Sequence, residues 1–184
     1  MNKRKVLSTI QSSLARPLVI LDLDNTLICS VEMENINNVP HAESFHSKDL
    51  EQIYRVYQRP GLELFLDELF SSYDVAVWTA AGLTYALFII DNFILTKKGR
   101  KLQFILWDEH CQYSHKATKK QQSKDLTLLS SFYAKEKFVL VDDNSIVLNQ
   151  EGVINSILFD VLSPDAKDDR FLEQIIEQIH GYFE

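Results

Sequence analysis

Leu18-Val19-Ile20-Leu21-Asp22-Leu23-Asp24-Asn25-Thr26-Leu27 is the stretch that decides the fold. Introduced by Arg16-Pro17, its four apolar residues read as a short strand buried on both faces, and the apolar run stops at Asp22. Side chains along an extended chain alternate in direction, so two carboxylates two residues apart leave such a strand toward one site. The same design of a short apolar strand halted by polar residues recurs downstream. Asp74 to Thr79, Gln103 to Trp107, and Phe138 to Val141 ending in Asp142-Asp143-Asn144 repeat it, and a last strand is expected around Ile157 to Val161.

Between these runs the apolar period changes from strand to helix. Arg59-Pro60-Gly61 opens a helix with Leu62, Phe65, Leu66, Leu69 and Phe70 on one face. Leu83, Ala86, Leu87, Ile90 and Ile94 define a second face, Leu126, Leu129, Phe132 and Tyr133 a third, and Phe171, Leu172, Ile175, Ile176 and Ile179 a terminal amphipathic helix. Such alternation implies an α/β protein with a mainly parallel, Rossmann-like sheet, helices on both faces and right-handed crossovers. Ligands of open parallel sheets bind beyond the carboxyl ends of the strands. Asp22, Asp24, Thr79, Asp142 and Asp143 all fall at such ends. Residues 30–58 are polar and rich in turn formers, with Tyr54, Val56 and Tyr57 spaced as in a strand, and read as a small insertion after the first strand.

The 184 residues, 46% hydrophobic, suit one catalytic domain spanning 1–184 with that insertion inside it. Nineteen basic residues against 26 acidic give a net charge of −7, which argues against a broad grip on nucleic acid or an anionic membrane. The two cysteines, Cys29 and Cys111, are too few for a disulfide framework, so a reducing, intracellular setting is expected. The basic Met1 to Lys5 segment leads into a polar stretch from Val6 to Leu14, unlike a signal peptide. No apolar run approaches the roughly 20 residues that cross a bilayer. A soluble protein is expected.

A carboxylate can attack phosphorus and form an acyl phosphate. Two adjacent carboxylates repel and resist burial, an objection that a divalent cation removes. Magnesium prefers oxygen ligands and is commonly held by one or two carboxylates together with substrate phosphate, and the acidic pair Asp142-Asp143 could complete such a site. Manganese would fit the same ligands. Phosphoryl transfer depends above all on positioning and charge neutralisation. Thr79 could donate a hydrogen bond and Lys124 a positive charge. Taken singly, Asp-x-Asp-x-Thr also suits turn and helix-cap chemistry, and Lys124 could be a solvated lysine at a helix start. The ordered set favours catalysis.

LDLDNTLICS from Leu21, RPGLELFLDEL from Arg59, VWTA from Val77, YA at Tyr85, KDL at Lys124 and VDDNS from Val141 together resemble the haloacid dehalogenase superfamily of phosphatases. Within it they are most similar to the NLI-interacting-factor-like branch that dephosphorylates the C-terminal domain of RNA polymerase II. The resemblance, which runs from about Leu18 to the C-terminus, implies Asp22 as nucleophile and Asp24 as general acid and then base. It implies Thr79 as holder of the transferring phosphoryl group and Lys124 as its neutralising cation. By the same likeness Mg2+ would be bound by the Asp22 side chain, the Asp24 backbone carbonyl and Asp143, with Asp142 close behind, and Thr26 would order the nucleophile loop. A phosphorylated protein or peptide, dephosphorylated at Ser or Thr, is the implied substrate, and no large cap is expected.

The chain departs from that pattern where Trp107-Asp108-Glu109-His110-Cys111 lacks an arginine common in relatives. Lys116, Lys119 and Lys120 in a long 112–123 stretch could replace it, but read first as an ordinary solvated loop. His110, Cys111 and His115 are too few for a structural zinc site. Two rival functions remain: a small-metabolite phosphatase of the same superfamily, and a catalytically silent protein-binding module.

Overall fold

The computed structural model describes residues 16–111, 123–130, 132–134 and 137–184. Its centre is a five-stranded sheet of β1 (Leu18–Leu21), β5 (Asp74–Trp78), β6 (Leu102–Leu106), β7 (Phe138–Asp142) and β8 (Val153–Asn155), in the order β6-β5-β1-β7-β8. Every neighbouring pair is parallel. β1 is the middle strand, which is why its residues are apolar without alternation: Leu18, Val19, Ile20 and Leu21 are all fully buried.

The pleat divides those residues between two cores. Val19 and Leu21, with Val75, Val77, Val139 and Val141, face helices α1 (Leu62–Ser72), α2 (Leu83–Ile89) and α5 (Phe171–Phe183). Leu18, Ile20, Ala76, Trp78 and Leu140 face the opposite side, with Cys111 of the single turn α3 (Asp108–Cys111) and Leu129 of the single turn α4 (Thr127–Ser130). The expected α/β architecture, helices on both faces and absence of a large cap are borne out among the described residues.

α1 begins at Gly61, whose φ of 80° lies in the left-handed region that a side chain would strain. Its last turn is closed by Arg16, whose guanidinium donates to the carbonyls of Ser71 at 2.6 Å and Tyr73 at 2.7 Å. That contact ties the segment just before β1 to the end of the first crossover helix.

Residues 28–58 hold β2 (Ile28–Glu32), β3 (Ser47–Leu50) and β4 (Tyr54–Gln58), a three-stranded antiparallel sheet in the order β2-β4-β3. Its own small core contains Cys29, Val31, Phe45 and Tyr57 together with Phe159 and Val161. The expected last strand at Ile157 to Val161 is therefore displaced. β8 occupies Val153–Asn155, entered through Gly152 at φ 84°, while Phe159 and Val161 leave the large sheet to pack under the small one. The second helical face is also shifted. Leu83 and Leu87 are exposed, and Ala86, Ile89, Ile90, Phe93 and Ile94 are buried, so α2 turns a neighbouring apolar face to the sheet and continues as a π-helical turn over Ile90–Ile94. The helix expected through Tyr133 is only the turn α4, although Leu126, Leu129 and Tyr133 are buried as expected. The Lys116, Lys119 and Lys120 stretch, His115 and the basic N-terminal segment lie outside the described residues.

Candidate active site

The carboxyl ends of the three central strands open on a cavity of about 390 Å3 lined by Asp22, Asp24, Asn25, Thr79, Lys124, Asp142 and Asp143 among others. Asp22 is the first residue beyond β1, and its amide continues the ladder by donating to the Val141 carbonyl at 3.0 Å. Thr79 follows β5, Asp142 ends β7 and Asp143 comes next. Lys124 reaches the floor from the segment before α4. All six residues singled out in the sequence thus meet in one place.

The loop after Asp22 is held from several directions. The Leu23 carbonyl accepts from the amides of Leu27 at 2.9 Å and Ile28 at 3.2 Å, closing a tight turn in which Asn25 adopts a left-handed φ of 57°. Asparagine tolerates that conformation better than most residues. Thr26 accepts from the Ser156 hydroxyl at 2.9 Å, and its own hydroxyl lies 3.4 Å from Asp143 Oδ1. Arg59, fully buried, donates to the carbonyls of Thr26, Ser156 and Ile157 at 3.0 to 3.1 Å and makes a two-pronged ion pair with Asp169 at 2.8 and 3.0 Å. Its guanidinium is sandwiched between the Phe159 and Phe171 rings, each centroid 5.3 Å away.

At the floor, the Lys124 ammonium donates to Asp22 Oδ1 and, at 2.6 Å, to Asp142 Oδ2. Asp142 Oδ1 accepts the Asn144 amide at 2.8 Å. Lys124 is only 4% exposed, which removes the solvated-lysine alternative. Its backbone is gripped by Gln150, whose side-chain amide donates to the Lys124 carbonyl at 2.6 Å and accepts the Leu126 amide at 3.0 Å. Thr79 Oγ1 accepts the Ala81 amide at 3.0 Å. That bond occupies oxygen lone-pair density and leaves the hydroxyl hydrogen to donate. On the other wall, the Tyr85 hydroxyl donates to Asp24 Oδ1, and Ser30 Oγ lies 2.6 Å from the same hydroxyl.

Burial dominates the electrostatics. Desolvation pushes the Asp22 carboxyl up to about 7 against the pull of Lys124, with Asp142 adding to the rise. Asp24 is raised by burial, partly offset by its bond from Tyr85, and Asp143 is raised by burial and by Asp142. Burial alone would lower the Lys124 ammonium, but Asp22 and Asp142 more than reverse this and hold it protonated.

Asp22, Asp142 and Asp143 offer carboxylate oxygens that all lie within 4.8 Å of one another, and no other such group of potential ligands occurs among the described residues. Three carboxylates against one ammonium leave two negative charges when ionised. An all-oxygen donor set with that deficit fits a hard divalent cation such as Mg2+. His110 and Cys111 turn to other uses: His110 Nδ1 accepts the Trp107 amide at 3.2 Å, and the buried Cys111 thiol approaches the Thr79 carbonyl at 3.6 Å.

Tyr85, Ser30, Gln150 and Ser156 were not among the residues expected to shape the site. Tyr85 belongs to a quoted motif, but nothing in its spacing ties it to Asp24, 61 positions earlier.

A model of the NLI interacting factor-like phosphatase family matches residues 17–182. Two proteins described as CTD phosphatase-like are similar to the chain. That of Invertebrate iridescent virus 6 is 40% identical across 68% of this chain and 75% of its own, and that of Invertebrate iridescent virus 3 is 34% identical across 91% and 97%. Among solved structures, Fcp1, described as an essential RNA polymerase II CTD phosphatase, superposes with a TM-score of 0.58 at 18% identity over 95% of this chain. A fission yeast Fcp1 variant bound to beryllium fluoride gives 0.57 at 18% identity over 97%. At that identity the likeness speaks for the fold alone, and the chain spans 51% and 52% of those two solved chains. With the family pattern running from the residue before β1 to the last turn of α5, the chain belongs to the NLI interacting factor-like phosphatases.

Proposed function

We propose that this chain is a Mg2+-dependent phosphomonoester hydrolase that works through an aspartyl phosphate at Asp22 and acts on phosphoserine or phosphothreonine in a protein. The observation that carries this reading is the buried Asp22–Lys124–Asp142 bridge, with Asp24, Thr79 and Asp143 around the same cavity. A carboxylate oxygen of Asp22 bonds to phosphorus as the ester P–O bond breaks, and Asp24 gives its proton to the departing oxygen. Water then attacks phosphorus, Asp24 takes the water proton, and the P–O bond to Asp22 breaks to release phosphate. Both carboxyl groups return to their starting forms.

Within that sequence Lys124 neutralises phosphoryl oxygens while orienting Asp22, and the Thr79 hydroxyl donates to the group in transfer. Mg2+ would be held by the Asp22 and Asp143 side chains and the Asp24 carbonyl, with Asp142 behind, and when bound supplies charge neutralisation at the phosphoryl oxygens. Even with Lys124 beside it, burial holds a large share of Asp22 protonated near neutrality, so the nucleophile's ionised form depends on such a cation as well. Asp24, raised by burial and accepting from Tyr85 at Oδ1, is suited to begin the cycle as an acid.

A protein substrate is supported by the names of the similar proteins and by a cavity with no large cap over it among the described residues. The net charge of −7 speaks against nucleic acid as partner, and no helix among the described residues is long and apolar enough to cross a membrane. Both described cysteines are free and buried, which fits a reducing intracellular setting.

The test is hydrolysis of an aryl phosphate by the wild type, Asp22→Asn and Asp24→Asn, each shown to be folded, with Mg2+ and with EDTA. Turnover that needs Mg2+ and is lost in both variants supports the mechanism. Undiminished activity of Asp22→Asn rejects the nucleophile. A matched panel of phosphopeptides, sugar phosphates and nucleotides decides the substrate class, and a strong preference for a small metabolite would reject the protein-phosphatase reading.

A further inference from the structure

Asp24 is not left to find its own orientation. Tyr85, on the first turns of α2, donates to Asp24 Oδ1, and Ser30 of β2 lies 2.6 Å from the tyrosine oxygen. A phenol has one hydrogen to give. With that hydrogen committed to Asp24, the Ser30 hydroxyl must be the donor in the second bond, which fixes a directed chain from Ser30 to Tyr85 to Asp24. Three separate elements hold it: the small sheet supplies Ser30, a crossover helix supplies Tyr85, and the loop after β1 supplies Asp24.

From this geometry we propose that Tyr85, backed by Ser30, is the positioning residue for the acid-base carboxyl, committing Asp24 Oδ1 as an acceptor and leaving Oδ2 as the oxygen that passes the proton. The proposal rests on the reading of Asp24 as the general acid. When Asp24 gives its proton to the leaving oxygen, the Tyr85 bond becomes a bond to a carboxylate and strengthens, without any group having to move. The hydroxyl of Tyr85 keeps its own hydrogen throughout: burial and the adjacent Asp24 carboxyl both push the phenol upward, far from ionisation near neutrality. The chain also gives the small sheet a part in the reaction, since Ser30 pairs with Val56 within it and bonds outward to the catalytic wall.

A positioning residue of this kind has a signature that loosened packing lacks. General-acid help matters most when the leaving oxygen is a poor one, and contributes about 100-fold to 10,000-fold in total. The experiment measures kcat/KM, with Mg2+ supplied, across a leaving-group series running from 4-nitrophenyl phosphate through phenyl phosphate to a phosphoserine peptide. Wild type, Tyr85→Phe, Ser30→Ala and Asp24→Asn are compared. Tyr85→Phe is expected to lose about 10-fold or more at the phosphoserine end and several-fold less at the nitrophenyl end. Ser30→Ala, which keeps the tyrosine and guards against a folding defect in Tyr85→Phe, is expected to steepen the series in the same direction by a smaller factor. Lines that fall in parallel with wild type for both variants, while Asp24→Asn steepens, overturn the positioning role alone. A parallel line for Asp24→Asn instead rejects the acid itself.

Discussion

Gln150 and Lys124 are joined backbone to side chain: the Gln150 amide donates to the Lys124 carbonyl at 2.6 Å and accepts the Leu126 amide at 3.0 Å, gripping the lysine from behind. The ammonium at the other end of Lys124 bridges Asp22 and Asp142. Gln150→Ala is expected to lower kcat by about 10-fold with a smaller change in KM, because misplacing a charge-neutralising group by even an ångström is costly. It is also expected to cost about 1–2 kcal/mol of stability, from two backbone groups left without partners. Steady-state kinetics and urea melts check both. Unchanged kcat would mean that Lys124 needs no such support.

Lys124→Met leaves Asp22 and Asp142 without their shared cation. Removing one partner of a buried ionic cluster costs about 3 kcal/mol, and activity is expected to fall at least 100-fold, to be measured by denaturant unfolding and by aryl phosphate turnover. A stable, fully active variant would show that the bridge is structural ornament.

The acidity of the site fixes how pH and metal act together. Burial raises Asp22 to about 7 and raises Asp24 and Asp143 as well, above their usual values near 3.8. A carboxyl group raised in the folded state stabilises it below the unfolded value, and that contribution is lost as pH climbs through the folded one. Metal-free protein should therefore lose stability at this site between roughly pH 4 and 7. Since a bound cation needs ionised ligands, the rise in melting temperature produced by Mg2+ should grow across the same window. Surface carboxylates such as Asp49 and Asp67, lowered by their arginine and lysine partners, act in the opposite sense but cancel between the two conditions. Melts at pH 5 and pH 8, with Mg2+ and with EDTA, make the comparison, and a larger Mg2+ effect at pH 5 contradicts it.

Arg59→Lys is expected to fail as a replacement. The guanidinium serves three carbonyls and both oxygens of Asp169 at once, a fork that an ammonium cannot reproduce. A loss of about 2–4 kcal/mol in chemical denaturation is expected, with activity falling further because the Asp22 loop loses its anchor.

The sequence made the sheet and the acidic cluster readable for a shared reason. Leu18 to Leu21 is buried on both faces, so its apolar run ends abruptly where the chain meets the cavity, and the same holds at Thr79 and Asp142. Features set by irregular backbone were not readable. Nor was the buried face of α2, where the apolar residues from Leu83 to Ile94 fit two overlapping helical faces and tertiary packing selects the one through Ala86, Ile89, Ile90 and Phe93 over the one through Leu83 and Leu87. Val153–Asn155 is too short to announce itself beside the more apolar 157–161 segment, in which Ile157 takes a φ of 29° while Phe159 serves another core. Tyr85 and Gln150 act through partners 61 and 26 positions away, and no local pattern records such pairings.

The Arg59 cluster has a consequence for how the protein is made. Its guanidinium is completed by Ser156, Ile157 and Asp169, and the turn carrying Asp24 leans on it through Thr26. A nascent chain emerging from the ribosome carries Asp22, Asp24, Thr79, Lys124 and Asp143 well before it carries Asp169. Every group proposed for the chemistry is thus synthesised ahead of the segment that sets the first two in place, so the catalyst cannot be completed until the chain has been made through Asp169.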